Sequence, residues 1–569
     1  MKRDSFPIRN GRVIVLVAGI ALLCGCGGTP VFVPPDAQPT CTETDPNFNS
    51  WFESGSVSLD GVVTPADSVH FPDVPNCSFY VWSERMFLWL TSPAPARYGG
   101  GGGRIFNSPA FYDVSPVDSS GKRSFVSHAA GGILATSLRA AQVGPHNLPI
   151  IFDRSGKMFS LEPPVFAKDG NRLIFNADGE RVEIRGGSIG IDGRPIFRGI
   201  DGKEIDGARP IIREELRQAA MAQEFRIDGV KFFLGASGEV IDVDQGQAGG
   251  NQVLMAQTGS LVYYRATVND TFAYFLTGVE NGDIPSTGGV PLDAKFPTTQ
   301  SELDQVSDFA SAHGHALTDP EALIIEIKTS WIETTNLDDP SDFITVQGTI
   351  PTYDQSNPAE WTPNGQKTVQ LALVGIHVVG STKGHPEMIW ATFEHVRNTP
   401  NAAYQYVSTG GSTTSVAQNT AGDWLFSSNG SAGPFNVPHM SFDPGSQNIV
   451  ANPGFTISPS DTIRWKAWGK ADPAASSNTE VISINNSVLG KLLAGDIRRN
   501  YVMTGATWTP FGVPPTPTNQ VGTNKLANTT LETYQQGTSN GNNGTSCLSC
   551  HVTNTVKVSH SFQDLKPLF

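Results

Sequence analysis

The residues with the most specific chemistry lie near the end of the sequence, where positions 546–551 are SCLSCH. Two thiols, Cys547 and Cys550, stand three positions apart, and His551 follows directly. This spacing lets each thiol bond one vinyl group of a haem while the adjacent imidazole reaches the iron. The pattern therefore predicts one covalent c-type haem, with Cys547 and Cys550 as attachment residues and His551 as the proximal axial ligand.

Two other uses of a cysteine pair fit this sequence less well. A thioredoxin-like redox pair lies in a βαβ pattern, which the residues around the motif lack. A zinc site needs further ligands at short spacing, and Cys41 and Cys77 are isolated. The histidines at 377, 385 and 395 are separated by eight and ten residues, which matches no compact metal motif.

The position of the motif restricts the source of the second axial ligand. Eighteen residues follow His551 and none is methionine, so an axial methionine downstream, as in class I cytochromes c, is impossible. The candidates are His560, nine residues further on, or a group from the upstream body: His377, Met388, His395, Met440 or Met503. The sixth position could also be open or hold water.

A segment as short as 552–569 cannot enclose a macrocycle, so the upstream body is expected to cover it. Within that body, Trp390, Phe393 and His395 are expected to pack against a porphyrin edge.

The first residues have the features of an export signal. Four Lys or Arg residues precede an apolar run of eleven at 13–23, which is too short for a stable membrane anchor. The sequence LCGC at 23–26 resembles the lipobox of bacterial lipoproteins, with Cys26 as the lipidated first residue of the mature chain. An ordinary signal peptide is the alternative. Gly27 after the cysteine favours the outer membrane, so we expect a periplasm-facing protein attached to a bacterial membrane through its lipid.

Four of the six cysteines are assigned to other roles, which leaves two that can pair with each other. Cys24 leaves with the signal, Cys26 takes the lipid, and the haem motif uses two more. Cys41 and Cys77 remain as a pair in an oxidising compartment, where a disulfide is expected, with two free thiols as the alternative.

The composition indicates a folded, acidic protein. Of its residues, 38% are hydrophobic and 16% charged, and the formal net charge is −15. When residues 1–25 are left out, the chain has 35 Lys and Arg residues and 53 Asp and Glu residues. This excess of negative charge argues against a nucleic-acid partner. The 59 glycines and 40 prolines favour strands and turns over long helices.

Composition and sequence pattern divide the chain into segments with different expected structures. After the signal at 1–25 come a flexible tether (26–40), an N-terminal region (41–245), a main globular body (246–510), and a linker with the haem segment (511–569). The aromatic stretch 79–90 predicts a buried helix, and Thr299 with Glu302 predicts a capping box. Strands are expected at 261–268, 271–278, 322–332 and 369–380.

The part of the N-terminal region at 151–245 is predicted to be a hairpin-rich insert. Seven Asp-Gly or Ser-Gly pairs recur there between short alternating segments, at 155, 169, 178, 192, 201, 228 and 237. One amphipathic helix is expected at about 211–225. With the body and the C-terminal segment, this predicts an α+β, β-rich fold with the haem segment packed on it.

The segments KTSW (328–331), LALVGIHVV (371–379) and IWATFEHVRN (389–398), together with SCLSCH, resemble a group of large exported bacterial cytochrome c family proteins. The resemblance covers about residues 250–569. It implies a single haem c held by Cys547, Cys550 and His551, and it implies no particular substrate.

Three functions are compatible with these features. The first is electron transfer at the periplasmic face of a membrane, to a redox partner that the sequence does not identify. The second is a haem-dependent oxidoreductase of the peroxidase or oxygenase type, because carrying electrons alone needs far fewer residues. The third is a surface-binding protein whose haem is structural or sensory.

Overall fold

The structure is a computed structural model that describes most of the chain after residue 31. It covers 32–100, 102–115, 122–128 and 251–569, apart from 429–431, 444–447, 470–474, 517, 526–527 and 537–545. Between 129 and 250 it describes only the short strands given below and Lys203. The predicted signal and the lipidation residue Cys26 lie outside the described residues.

The fold is α+β and rich in strands, as predicted. Thirteen strands form one curled, mainly antiparallel sheet: β1 Phe111–Val114, β2 Phe125–Ser127, β3 Leu134–Ala135, β4 Gln252–Val253, β5 Tyr263–Asn269, β6 Ile325–Glu333, β7 Thr345–Asp354, β8 Glu360–Thr382, β9 His385–His395, β10 Met440–Asp443, β11 Asn448–Ala451, β12 Tyr501–Trp508 and β13 Val521–Gly522. Tyr404–Val407 and Thr413–Val416 pair as a separate hairpin.

The described α-helices are few and mostly short. They are α1 Asp45–Ser50, α2 Cys77–Leu90, α3 Asp270–Asn281, α4 Gln300–Ala312, α5 Ala475–Lys491, α6 Cys547–Cys550 and α7 His560–Asp564. Helix α4 begins at Thr299 with the predicted capping box, in which Glu302 reaches back to the Thr299 backbone.

The centre of the sheet runs in the order β5–β6–β8–β9–β12, with every neighbouring pair antiparallel. The predicted strands at 322–332 and 369–380 form β6 and part of β8. Their near-continuous apolar runs are explained by cover on both faces, because α2 packs on one face and the C-terminal segments pack on the other.

The predicted aromatic helix, α2, covers the first face of the sheet. Its Phe79 stacks on Trp508 with ring centroids 4.1 Å apart, and its Phe87 stacks on Phe393 at 4.4 Å. A disulfide links Cys77, the first residue of α2, to Cys41, which is the predicted pairing. Residues of the N-terminal region therefore share one hydrophobic core with the main body.

The predicted strand at 271–278 is wrong, because this segment lies in helix α3. The Asn269 side chain accepts a hydrogen bond from the Phe272 backbone N–H, and Gly282 ends the helix in a left-handed conformation. Nearly all of α3 is buried and its residues are largely aromatic or β-branched, so an apolar run of this kind fits a buried strand as well as a buried helix.

Two segments predicted to be loose are packed for part of their length. In the predicted tether, Val33 and Ala37 are buried and the Gln38 N–H donates to the Val407 carbonyl, so residues 32–40 belong to the folded body. In the predicted linker, β13 pairs with β12, and residues 528–536 are largely buried. Proline and glycine mark these segments as irregular, but irregular backbone can still be packed when side chains satisfy its polar groups.

The described strands between 142 and 241, a range that includes most of the predicted insert, form three separate three-stranded antiparallel sheets. Their strands are Gln142–Val143, Pro149–Phe152 and Met158–Ser160; Leu173–Phe175, Arg181–Ile189 and Pro195–Gly199; and Gln223–Ile227, Val230–Leu234 and Val240–Ile241. All seven predicted turn pairs lie outside the described residues, but five of them fall between strands that pair with each other. Of the helix predicted at 211–225, positions 223–225 are in a strand, and 211–222 lie outside the described residues.

Candidate functional site

The cysteine motif forms one helical turn, α6. Ser546 caps this turn, and the His551 N–H donates to the Cys547 carbonyl over 3.1 Å. Residues three and four apart share a face of a helical turn, so both thiols and His551 project to the same side. Cys547 is half-buried, Cys550 is exposed, and neither is in a disulfide. Burial raises the pKa of the Cys547 thiol above its usual value.

The His551 imidazole is held on three sides. Its faces are covered by the rings of Trp390, with centroids 4.1 Å apart, and His560, at 4.2 Å. Its Nδ1 lies 2.5 Å from the Val558 carbonyl oxygen, which can only accept, so Nδ1 carries the proton and Nε2 carries the lone pair. Burial, together with the charge of His560, lowers the pKa of His551 to about 4, so the ring is neutral at physiological pH.

A face of the central sheet lies opposite α2 and presents two rows of side chains. Cross-strand pairing aligns the first row over five strands, in the order Ala266, Lys328, His377, Thr392 and Gly505. It aligns the second row over four: Glu326, Val379, Trp390 and Thr507. Residues two apart on a strand share a face, so these positions form one surface.

This surface is the floor of a cavity of about 450 Å³, a volume within the range of small-molecule sites. The α6 turn, with both motif cysteines, His551 and nearby His560, forms one wall. Leu531, Glu532 and Gln535 form another, and Arg123 and Lys525 also contribute to the lining. The candidate haem residues therefore open onto a preformed cavity rather than onto bulk solvent alone.

The segment 528–536 is held against the sheet by the carboxylate of Glu394. This buried group accepts hydrogen bonds from the Thr529 backbone N–H and hydroxyl, and it pairs with the buried guanidinium of Arg464 at 2.7 Å. At Gly375 a Cβ atom would collide with the Thr530 hydroxyl, so glycine permits this close approach. The cavity wall is thereby fixed to the sheet.

The C-terminal segment 556–569 is fixed by apolar and polar contacts. Phe562 is fully buried, with its ring centroid 5.8 Å from that of Phe272 and 5.7 Å from that of Phe296. The hydroxyls of Ser559 and Ser561 each donate to Glu326 over 2.7 Å. The Val558 carbonyl that orients His551 therefore belongs to an anchored segment.

Three ionisable side chains meet at the cavity between the floor and the 528–536 wall. The His377 Nε2 bonds to Oε1 of Glu532, whose Oε2 is buried and has no hydrogen-bond partner. Lys328 is the cross-strand neighbour of His377. Burial lowers the pKa of Lys328, while the charges of Glu326 and Glu532 oppose that shift.

The structure brings six of the predicted site residues to the cavity, among them His377 and Trp390, and separates others from it. Cys547, Cys550, His551 and His560 all line the cavity. The rings of His551 and His560 are stacked, with an interplanar angle of 24°. With metal–nitrogen bonds of about 2 Å, imidazoles on opposite sides of one iron would have centroids roughly 6 Å apart. The rings of His551 and His560 are 4.2 Å apart, which is too close for that arrangement.

His395 does not reach the cavity. Its ring lies on the core face, stacked 3.8 Å from Phe343, with Nε2 bonded to the Asp342 carbonyl. Burial lowers the pKa of His395 to about 3. Phe393 also lies on the core face, so of the three residues expected at a porphyrin edge, Trp390 alone lines the cavity.

Of the remaining upstream ligand candidates, His377 lines the cavity. Met388, Met440 and Met503 are fully buried, and none of them lines the cavity. Sequence analysis did not identify Glu326, Lys328 or Glu532 as site residues. The alternation of strand β6 places the first two on one face, but nothing in the sequence around Glu532 marks it as a cavity residue.

The arrangement fits a haem c by its chemistry. Both thiols are free, and the His551 imidazole is neutral with Nε2 available. The lining combines the apolar Val379, Trp390 and Leu531 with Lys and Arg side chains that could pair with the carboxylates of a haem. Within the described residues there is no cluster of three or more His, Cys, Asp or Glu that could hold a metal ion. In the same part of the chain, no helix has both the length and the apolar composition needed to cross a membrane.

Comparison with known proteins adds no assignment. No protein-family model, no curated protein and no solved structure matches this chain.

Proposed function

We propose that this chain is a c-type cytochrome with a single haem, bonded to Cys547 and Cys550 and ligated by Nε2 of His551. The observation that carries the proposal is the hydrogen bond from His551 Nδ1 to the Val558 carbonyl. A ligand histidine is usually oriented by a bond from its other ring nitrogen, which fixes the tautomer and increases basicity. Here that partner is in place on an anchored segment, and the ring is neutral.

We further propose electron transfer at the periplasmic side of a bacterial membrane as the main function. A bound haem supplies one-electron chemistry at its iron. Cys550 is exposed, which supports a cofactor edge near solvent, where a partner protein can approach. The Cys41–Cys77 disulfide supports export to an oxidising compartment, and a lipid on Cys26 would attach the chain to the membrane, with the outer membrane favoured.

A second candidate function is a haem-dependent oxidoreductase. The observation that favours it is the polar group of Lys328, His377 and Glu532 beside the cavity, because electron transfer alone needs no such residues. Partly burying charged groups lowers the stability of the fold. Their presence beside the cavity therefore supports a functional role.

The test is the visible spectrum of the exported protein, produced in cells that assemble haem c, before and after addition of cyanide or carbon monoxide. The proposal predicts a haem spectrum that survives denaturation in the wild type and in a Cys41→Ser, Cys77→Ser control. It predicts loss of covalent haem in a Cys547→Ser, Cys550→Ser variant. A colourless wild-type protein would contradict it. A haem spectrum that neither cyanide nor carbon monoxide changes favours electron transfer. Rapid binding of either ligand favours the oxidoreductase.

A further inference from the structure

The polar group in the cavity combines a cation with a positioned proton acceptor. Lys328 and His377 are direct neighbours on β6 and β8, so their side chains leave the same face of the sheet. Glu532 meets them from the segment that covers this part of the floor. The three groups come from separate parts of the chain and converge on one side of the cavity.

His377 has the partners of a general base. If its Nε2–H donates to the Glu532 carboxylate, the lone pair lies on Nδ1, which has no hydrogen-bond partner among the described residues. The carboxylate fixes the ring orientation and stabilises the imidazolium that forms when Nδ1 takes a proton. The second oxygen of Glu532 is buried and has no hydrogen-bond partner among the described residues, so the carboxylate keeps spare acceptor capacity.

Lys328 supplies a positive charge with no fixed acceptor. Its ammonium makes no hydrogen bond in the part of the chain that the structure describes, although Glu326 and Glu532 lie close enough to affect its pKa. A partly buried ammonium is a good partner for an anion, because the interaction is weakly screened there. Lys328 and His377 line the same cavity as His551.

We propose that Lys328, His377 and Glu532 form a binding site for a small weak acid, H–X, that enters the cavity and is retained there as its anion. The H–X bond breaks, the proton passes to Nδ1 of His377, and the electron pair stays on X⁻ beside the Lys328 ammonium. No oxidation or reduction takes place in this step. The proposal rests on the haem assignment and on the second candidate function above, because a haem bound to Cys547 and Cys550 would supply the other partner of the anion.

Cyanide is a suitable probe, since it is mainly HCN at neutral pH and must lose its proton to bind as an anion. Association of cyanide with the ferric holoprotein is followed by stopped-flow absorbance. We expect His377→Gln to slow association about 100-fold, within the range for a positioned proton acceptor. Glu532→Gln should slow it less, about tenfold, because the imidazole remains. Lys328→Gln should raise the dissociation constant about tenfold.

Two controls separate this role from a structural one. His70→Gln changes an exposed histidine outside the cavity and should leave cyanide association unchanged. Carbon monoxide binds without losing a proton, so its association with the ferrous protein should stay within about twofold of wild type in all variants. If His377→Gln fails to fold, Glu532→Gln still tests the site.

Equal cyanide rates in wild type, His377→Gln and Glu532→Gln would overturn the proposal. So would a wild-type haem protein that does not bind cyanide at all, although the haem assignment would then stand. A protein without covalent haem would instead overturn the proposed function, so the two failures are distinguishable.

Discussion

The buried ion pair between Glu394 and Arg464 gives the sharpest test of how the cavity wall is held. Both side chains are fully buried, and Glu394 also accepts hydrogen bonds from Thr529, the start of the covering segment, and from Asn398. Glu394→Gln keeps the size and shape of the side chain but leaves the Arg464 guanidinium without an anion. Removing one partner of a buried pair costs about 3–5 kcal/mol, against about 0–1 kcal/mol for exposed pairs.

This cost converts into a shift of the unfolding temperature. With an unfolding entropy of about 2.1 cal/mol/K per residue, the roughly 385 described residues of 32–128 and 251–569 should lose about 4–6 °C. Calorimetry of the mature protein measures the shift. Asp423→Asn is the matched control, since it removes an Arg–carboxylate pair in which the aspartate is 76% exposed. If the two variants melt within about 1 °C of each other, the wall is not held as described.

Three further results are expected. Replacing both Cys41 and Cys77 by serine should lower the free energy of unfolding by about 3–4 kcal/mol in denaturant titrations, because their bond spans 36 positions; an unchanged midpoint would argue against the link. Burial raises the pKa of Glu84 to about 8, so the folded state keeps a proton that the unfolded state releases above its ordinary pKa of 4.5. Stability should therefore fall from about pH 4.5 to 8, and Glu84→Gln should stabilise the protein by about 3 kcal/mol at pH 7, with no gain near pH 4.5. Trp390→Leu removes an aromatic contact with His551 worth about 0.5–1.5 kcal/mol. Hydrogen exchange in the C-terminal segment should therefore become roughly three- to tenfold faster. Equal exchange rates in the variant and the wild type would show that the contact is unimportant.

The parts of the fold with strong local signals were predictable. Thr299 with Glu302 marks a helix start, and the paired Asp-Gly turns mark hairpins, because these signals depend on a few neighbouring residues. Helix α3 was not predictable in the same way. Its aromatic and β-branched residues favour strands, and a short, mostly apolar run does not by itself distinguish a buried strand from a buried helix.

The site was predictable where a motif carries it and less so where packing assembles it. The SCLSCH spacing identifies the residues of α6, but the expectation that Trp390, Phe393 and His395 act together ignored strand alternation. Odd spacing on β9 places the last two on the core face, opposite Trp390. Glu532 reaches the cavity through a segment that reads as a linker, so its role depends on long-range contacts that no local pattern encodes.

The central claim is a covalent bond between haem and the two thiols of α6, and peptide mass spectrometry tests it most directly. Trypsin should release residues 526–557 as one peptide, since no Lys or Arg lies between Lys525 and Lys557. From the mature, exported protein this peptide should carry the mass of one haem and should absorb in the visible range. The same peptide with two free thiols, or with Cys547 bonded to Cys550, would contradict the account.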